Sequence, residues 1–373
     1  MMRNKNSYSL FNVRLHYVCS LIFFVFTFLS SCKQNPQSNI EIIWEDKRAV
    51  AISIPKDALG ANADHSIENK LKLFAGKNKT IAVLGEYKVE AERVVIKPLI
   101  PLSRGLDYHV YFDDKLVGSI NVPLANADEA KRLVMIYPSL DTLPENLLKI
   151  YLQFSGPMRE GEALKHIALL DDKSDTVKSI FLELQPELWN NERTVLTLWL
   201  DPGRIKRDLI PNQQLGNPLK RGKRYTLAVS NTWKDVQGLP LQQPYSKQFI
   251  VGVRDGTSPV IEQWQLDQPN AQTSQPLTIK LNEPLDYFLL QESITIVDRN
   301  NKNIDGKIQV SYKERTLQFI PTNNWVAGAY RVNVEPVLED LAGNNLNRPF
   351  DRDVLVKNAN ATRTKFDISF KVK

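Results

Sequence analysis

Residues 219–241, LKRGKRYTLAVSNTWKDVQGLPL, recur in modified form at residues 325–346, WVAGAYRVNVEPVLEDLAGNNL. In both segments a tyrosine opens an alternating apolar run, and an aspartate, a glycine and a leucine follow at the same spacing. The matched positions are Tyr225, Leu227, Val229, Asp235, Gly238 and Leu241 in the first copy and Tyr330, Val332, Val334, Asp340, Gly343 and Leu346 in the second. The copies are offset by about one domain length, which indicates tandem repeats of one fold.

Each copy predicts a strand followed by a tight turn. Apolar residues at every second position place one face of the strand in a core and the other in solvent, as in antiparallel sheets. The Asp-x-x-Gly motif suits a turn, because aspartate hydrogen-bonds the backbone two residues on and glycine accepts a positive φ. Asp340, Asn344 and Asn345 also offer the oxygen ligands of a calcium loop, although one carboxylate is fewer than such loops use. Turn chemistry is the favoured interpretation.

Composition is that of an ordinary globular protein. The chain has 373 residues, which predicts two to four domains, and it is 42% hydrophobic and 24% charged. The 21 prolines and many β-branched residues favour an all-β fold. We therefore predict tandem antiparallel β-sandwiches with very little helix.

The amino terminus has the pattern of a lipoprotein signal peptide. Arg3, Lys5 and Arg14 precede the apolar segment LIFFVFTFL at residues 21–29, which is shorter than the roughly 20 residues that span a membrane. The following sequence, Leu29-Ser30-Ser31-Cys32, resembles the lipobox of bacterial lipoproteins. The resemblance implies cleavage before Cys32 and lipid attachment there, so the membrane is an expected partner. The alternative is an ordinary signal peptide with an incidental cysteine.

Cleavage would leave little chemistry to cysteine or to charge. Cys19 would be lost with residues 1–31 and Cys32 would carry lipid, so no thiol would remain for a disulfide, metal or nucleophile. The formal net charge would fall from +6 to +3, which is too mild to indicate nucleic-acid binding. His65, His109 and His166 lie far apart in sequence, and none has a metal-ligand spacing. We expect no cofactor, no metal and no catalytic residue.

Two motifs resemble those of a known family. YLQFSGPM at residues 151–158 and EDLAGNNLNRPF at residues 339–350 are similar to motifs of SbsA-type bacterial Ig-like domains. The family pattern places a strand before the first motif and an Asp-x-x-Gly-Asn turn in the second. The second domain departs from it at residues 237–239, which lack the asparagine, and the third departs at residues 282–285. The resemblance implies a β-sandwich module of cell-envelope and secreted proteins, and it implies no catalytic residues.

These signals predict the domain organisation. A signal peptide (residues 1–31) and a tether (32–39) precede a degenerate Ig-like β domain, an Ig-like sandwich with a loop insertion, an SbsA-type Ig-like sandwich and an extra carboxy-terminal strand. Their predicted ranges are 40–122, 132–253, 260–357 and 358–373. The extra strand alternates from Phe366 to Val372, and we expect it to pair with an edge of the third domain or with a partner's sheet.

Aromatic residues give a second route to function. Five tryptophans in the second and third domains have flat faces that stack on sugar rings, but core packing is the favoured interpretation, with Trp233 the one expected to be exposed. They are Trp189, Trp199, Trp233, Trp264 and Trp325.

The loop insertion is the candidate binding site. Between a strand-ending proline and the glycine before the tyrosine strand, the second domain has thirteen more residues than its siblings (Pro202 to Gly222). Seven cations flank or lie within this segment, against one acid, Asp208: Arg204, Lys206, Arg207, Lys220, Arg221, Lys223 and Arg224. Guanidinium groups bind carboxylates and phosphates, so the loop is expected to contact an anionic partner, with a solvated loop as the alternative. Reversal of Arg204, Lys206 and Arg207 to Glu should then abolish partner recovery without lowering the melting temperature.

Two functions remain open at this stage. The first is a non-catalytic envelope lipoprotein that acts as a spacer, scaffold or adhesion module for protein partners. The second is a lipoprotein that binds glycan or another anionic polymer. The expected location is the cell envelope, anchored by lipid to the outer membrane, with the periplasmic or surface face undetermined.

Overall fold

A computed structural model describes residues 39–60, 67–76, 79, 81–311, 313–351 and 363–373. The predicted signal peptide, its cysteine and most of the tether lie outside this range. The fold is all-β, with three antiparallel sandwiches in tandem and only short helices, as the sequence predicts. No helix in the described part of the chain has the length and apolarity needed to cross a membrane.

Domain one is a sandwich of a four-stranded and a three-stranded sheet. Its sheets have the strand orders β1-β2-β5-β4 and β3-β6-β7. The strands are β1 (Glu41–Glu45), β2 (Arg48–Pro55), β3 (Leu71–Ala75), β4 (Gly85–Val89), β5 (Arg93–Pro98), β6 (Asp107–Phe112) and β7 (Lys115–Asn121). The helices are a 3₁₀ turn (Lys56–Leu59) and α1 (Ile67–Lys70), and a second 3₁₀ turn (Ala127–Glu129) lies in the linker to domain two.

Domain two has the orders β12-β10-β8 and β11-β13-β14-β9, in which β9 pairs in parallel with β14. Isolated bridges from Phe181 to Leu200 and from Trp189 to Leu196 take the place of a further strand beside β12. The strands are β8 (Leu133–Tyr137), β9 (Thr142–Leu143), β10 (Lys149–Phe154), β11 (Ile167–Leu170), β12 (Val195–Trp199), β13 (Arg224–Val229) and β14 (Tyr245–Val251). The helices are α2 (Ala163–His166), α3 (Pro202–Ile205) and α4 (Ile210–Leu215), of which α3 and α4 are formed by the insertion.

Domain three repeats the strand order of domain one, with sheets β15-β16-β19-β18 and β17-β20-β21. Its strands are β15 (Gln265–Asp267), β16 (Leu277–Lys280), β17 (Ile294–Asp298), β18 (Gly306–Val310), β19 (Thr316–Pro321), β20 (Gly328–Val334) and β21 (Phe366–Val372). A 3₁₀ turn (Ile261–Gln263) and α5 (Tyr287–Glu292) complete it.

The last strand corrects a predicted boundary. β21 pairs with β20 along its whole length, from Gly328 opposite Val372 to Val334 opposite Phe366. Phe366, Phe370 and Val372 are buried in the core of domain three. β21 is therefore the seventh strand of this sandwich and not an additional one, and the domain extends to Val372 instead of ending at residue 357. Residues 352–362 separate β21 from the rest of the domain in sequence, so the sequence pattern did not assign this strand to domain three.

All three sandwiches share an immunoglobulin-like topology. Domains one and three pair their strands in the order of a constant-type immunoglobulin sandwich, and domain two keeps that order with one strand reduced to bridges. Each domain also has a tyrosine near the start of its sixth strand whose hydroxyl bonds the backbone four or five residues upstream. These bonds are Ser103 N to Tyr108 OH (2.8 Å), Lys220 N to Tyr225 OH (3.3 Å) and Tyr330 OH to Val326 O (2.8 Å). This tyrosine corner explains why a tyrosine leads every copy of the repeat.

Candidate functional site

The insertion folds onto its own domain through Arg204. This residue lies in α3, is only 7% exposed, and directs its guanidinium at backbone carbonyls. It donates to Ser179 O at 2.7 Å and to Gly216 O at 3.1 Å. Because a carboxylate cannot donate to those carbonyls, reversal of Arg204 to Glu would bury an unpaired charge. The expectation that the triple reversal leaves the melting temperature unchanged is therefore corrected.

Two further cations of the insertion contact domain three. Arg207 donates through Nε to Asp351 Oδ2 at 2.8 Å, and Arg254 contacts the same oxygen. Burial raises the pKa of Asp351, but the two guanidinium groups outweigh burial and hold this pKa below its ordinary value. Lys206 lies with Nζ 4.3 Å from the centroid of the Phe350 ring. This part of the insertion braces domains two and three against each other.

The rest of the predicted binding loop lies at the surface. Lys220, Arg221, Lys223 and Arg224 are exposed. Lys223 Nζ pairs with Asp172 Oδ2 at 2.8 Å, which lowers the pKa of Asp172. The structure thus divides the seven cations into three that pack at the base of the insertion or contact domain three (Arg204, Lys206 and Arg207) and four that lie at the surface away from that domain. Partner binding by the surface group stays a prediction.

Polar side chains buried between domains two and three form the strongest constellation in the described chain. Tyr151 donates its hydroxyl to Asp286 Oδ2 at 2.6 Å, and both residues are buried. Burial, and then the Asp286 carboxylate, raise the pKa of Tyr151 far above its ordinary value. Lys149 Nζ lies 2.7 Å from Glu339 Oε2 and 3.6 Å from Asp286 Oδ2. These contacts satisfy charges that would be costly to bury alone.

A third acid completes this polar layer. Glu314 is fully buried, and its Oε1 accepts a bond from Ser139 N at 2.9 Å. Burial raises the pKa of Glu314. Lys247 Nζ donates to Ser139 O at 3.0 Å, so a cation of domain two lies close to the buried acid of domain three.

Apolar contacts close the same junction tightly. Leu341 of domain three belongs to the hydrophobic core of domain two, and Leu341 O accepts a bond from Leu148 N at 3.0 Å. A Cβ on Gly343 would lie 2.3 Å from Leu148 Cδ2, so only glycine fits there. The rings of Tyr137 and Tyr287 stack with centroids 3.7 Å apart. Domains two and three therefore share one continuous interface.

The Asp-x-x-Gly-Asn segment forms a turn. Asp340 Oδ1 accepts from Ala342 N at 2.7 Å and from Asn344 N at 3.0 Å, and Oδ2 accepts from Asn344 Nδ2 at 2.7 Å. Asn345 does not join this set, because its Oδ1 accepts from Asn347 N and Arg348 N. The positive φ of Gly343, 81°, is the one the motif predicts.

Two other carboxylates lie near this turn. One oxygen from each of Asp255, Glu283 and Asp340 lies within 4.8 Å of the others, a grouping of hard ligands that cations accept. Burial, and to a smaller extent Asp255, raise the pKa of Asp340 to about 7. The calcium-loop alternative combined Asp340 with Asn344 and Asn345, whereas the fold brings Asp340 close to Asp255 and Glu283, which come from distant segments.

The tryptophans support the core interpretation. Trp233 is fully buried, which contradicts the expectation that it is exposed, and it donates through Nε1 to Arg159 O at 3.1 Å. Trp264 and Trp325 are also buried. Trp189 and Trp199 are half-buried and pack on the core of domain two. Three of the five are therefore buried and the other two are partly covered by the core of domain two.

Comparison with known proteins agrees with this architecture. Residues 256–357 match the family described as a bacterial Ig-like domain. That range covers domain three without its last strand. No curated protein sequence matches the chain.

Three solved structures with similar folds are distant from this chain in sequence. Native alpha-2-macroglobulin from Escherichia coli, in a fragment spanning domains MG0-NIE-MG1, is 10% identical, with 57% of this chain and 67% of that chain covered and a TM-score of 0.23. The I-band fragment I67–I69 of titin is 10% identical, with coverage of 76% and 86% and a TM-score of 0.20. The amino-terminal part of the bacterial S-layer protein SbsC is 13% identical, with coverage of 56% and 40% and a TM-score of 0.22. Scores in this range carry no argument about function.

Proposed function

We propose that this protein is a non-catalytic, lipid-anchored envelope protein whose sandwiches form a stiff spacer and scaffold for protein partners. The observation that carries the proposal is the closed junction between domains two and three. A flexible string of domains has no need of buried charges, stacked rings and a shared core between neighbours, since interfaces between independent domains are usually smaller and more polar. The sequence around Cys32 supplies the anchor in this proposal.

Stiffness is testable through distances between labels. The sequence has no cysteine after Cys32, so single cysteines placed on residues 33–373 can be spin-labelled without further changes. Lys173 and Lys302 are exposed and lie on domains two and three. Labels at these positions should give one narrow distance distribution by double electron–electron resonance. The pair Lys302 and Lys371, both within domain three, measures the width contributed by the labels themselves.

A distribution much broader than that control would contradict the spacer role, because it would show a hinge at the junction. Anchoring needs a separate experiment in cells. The Cys32→Ala protein should leave the membrane fraction, whereas the wild type should remain there. If both proteins fractionate with membranes, the lipid anchor has no support, whatever the distances show.

A second candidate function is binding of glycan or another anionic polymer. The exposed cations Lys220, Arg221 and Arg224 favour it, since they lie within five residues of sequence in a loop and at the start of β13. Retention of the protein on an immobilised anionic polysaccharide, and its loss in an Arg221→Gln, Arg224→Gln variant, would support this function over the spacer alone. Equal retention of the two proteins would show that Arg221 and Arg224 of the insertion do not bind the polysaccharide.

A further inference from the structure

The end of domain two that faces domain one and the end of domain three that faces domain two contain corresponding turns, held together by the same backbone hydrogen bonds. In domain two, Met158 N donates to Arg193 O at 3.0 Å. In domain three, Leu285 N donates to Glu314 O at 3.2 Å. Arg193 and Glu314 both have left-handed backbones, with φ of 54° and 50°. They occupy equivalent positions with opposite charge.

The residues that follow Met158 and Leu285 in sequence, together with their backbone partners, show the same reversal of charge. Arg159 N donates to Lys234 O at 3.1 Å, and Asp286 N donates to Glu339 O at 2.9 Å. Three cations of domain two therefore stand where domain three has three acids: Arg193, Arg159 and Lys234 correspond to Glu314, Asp286 and Glu339. In domain three, Asp286 and Glu339 bind Lys149 of the preceding domain, and Glu314 accepts a bond from Ser139 N of that domain.

The junction between domains one and two is also less tightly packed than the junction between domains two and three. Gly238 is the counterpart of Gly343, but a Cβ there would meet nothing nearer than Arg159 Nη2 at 3.8 Å. Val236, the counterpart of the buried Leu341, is only half-buried. A cleft of about 450 Å³ remains between these turns and domain one.

Domain one lines the other wall with cations as well. Lys47 comes from the turn between β1 and β2, Arg48 is the first residue of β2, and Arg104 comes from the turn before β6. Arg104 is held in place, since Nη2 donates to Lys47 O at 2.6 Å and the guanidinium lies 4.9 Å from the Trp44 ring centroid. Its Nε is buried without a hydrogen-bond partner among the described residues.

Charge in the cleft is therefore unbalanced. Five cations line it, and Glu160 is the one acid in its described lining: Lys47, Arg48, Arg104, Arg159 and Arg193. Glu160 lies 3.9 Å from Arg193, and Lys47 pairs outside the lining with Glu129 at 3.2 Å. Like charges on facing walls repel. Among the described residues of domain one, no carboxylate pairs with Arg159 or Arg193 in the way that Lys149 pairs with the acids of domain three.

We propose that this cleft binds an anionic glycan through phosphate or carboxylate groups on a sugar. Guanidinium groups from both walls match the planar, bidentate geometry of these anions. A volume of about 450 Å³ lies in the range of small-molecule sites and accommodates one or two sugar units. The bound anion supplies the negative charge that balances the cations of the cleft. In the junction between domains two and three, the chain itself supplies both the cation and the acids. The site is separate from the surface cations of the insertion, and it does not depend on the spacer role.

Calorimetric titration of residues 33–373 tests the proposal. The probes are fructose 1,6-bisphosphate and digalacturonate as anionic sugars, maltose as a neutral sugar, inorganic phosphate, and vesicles containing phosphatidylglycerol. At low salt the protein should bind at least one anionic sugar and not maltose. An Arg159→Gln, Arg193→Gln variant should bind it at least tenfold more weakly. Arg48→Gln provides a second, exposed position in case the pair disturbs folding.

The Arg299→Gln, Arg348→Gln variant is the matched control, because it removes two exposed guanidinium groups of domain three that lie outside both the cleft and the insertion. Its affinity should stay within twofold of the wild type. The proposal is overturned if neither anionic sugar binds, or if only the control variant weakens binding. Equal affinity for inorganic phosphate would overturn the assignment to a sugar, and binding to vesicles alone would assign the cleft to a lipid headgroup instead.

Discussion

Replacing Tyr151 by phenylalanine should weaken the junction between domains two and three specifically. The substitution removes the 2.6 Å bond to Asp286 and leaves the ring packed against Phe288, with centroids 4.8 Å apart. A buried hydrogen bond to a charged group contributes about 1.5–3 kcal/mol, so we expect a loss of about 2 kcal/mol in the free energy of unfolding. Since Lys149 stays near the carboxylate, the loss should fall short of that for an unpaired buried charge.

Thermal and guanidinium unfolding of residues 33–373 measure this effect. For a unit of the size of domains two and three together, about 2 kcal/mol corresponds to a fall of roughly 4–8 °C in melting temperature. Tyr330→Phe is the matched control, because it removes a neutral hydroxyl-to-carbonyl bond within domain three. That variant should lose about 1 kcal/mol.

A double-mutant cycle isolates the contact across the junction. Asp286→Asn keeps one oxygen for the backbone N–H groups of Phe288 and Leu289, which Asp286 caps at the start of α5. The coupling between Tyr151→Phe and Asp286→Asn should be about 1 kcal/mol or more, as for other residues in direct contact. A coupling near zero, or a loss for Tyr151→Phe no larger than for Tyr330→Phe, would refute the assignment of this bond as a main lock of the junction.

Three further perturbations follow from the structure. Because the pKa of Asp340 is raised to about 7, protonation of its carboxyl stabilises the fold fully below about pH 4, and this stabilisation is lost as pH rises through 7. Asp255→Asn should reduce the loss by about 1 kcal/mol, because it removes a nearby negative charge. The measurement is the free energy of unfolding at pH 5.5 and at pH 8 in the presence of a chelator. Deleting residues 364–373 removes β21 and should abolish the thermal transition of domain three, and an unchanged melting curve would contradict its place in the core. Arg204→Lys should lower the free energy of unfolding by about 2 kcal/mol, because one ammonium cannot span the carbonyls that the guanidinium reaches, whereas the exposed Arg207→Lys should cost less than about 1 kcal/mol by the same denaturant assay.

Sequence patterning was sufficient for the sandwiches because their strands are half-buried. Tyr225, Leu227 and Val229 alternate in the sequence and are buried in the structure, and their copies in β20 behave alike. The turn after each strand was also predictable, since aspartate and glycine have distinct backbone preferences. The last strand was placed outside its domain because pairing between β20 and β21 joins segments that are distant in sequence.

Contacts between domains left weaker signals. The bond from Tyr151 to Asp286 joins residues 135 positions apart, and the sequence around neither residue predicts it. Arg204 looked like a surface cation because composition does not reveal which side chain turns inward. The inverted charges at Arg159 and Arg193 were readable in principle, since aligning the two repeats turn by turn places them opposite Asp286 and Glu314.

The insertion of Leu341 into the core of domain two has a consequence for the order of folding during synthesis. The described core residues of domain one all lie between Ile40 and Val122, so this domain can fold as soon as Val122 has emerged. Domain two lacks one side chain of its core until the turn after β20 has formed, and domain three in turn awaits β21 at the far end of the chain. The second and third sandwiches therefore mature as a pair, and only once β21 has been made.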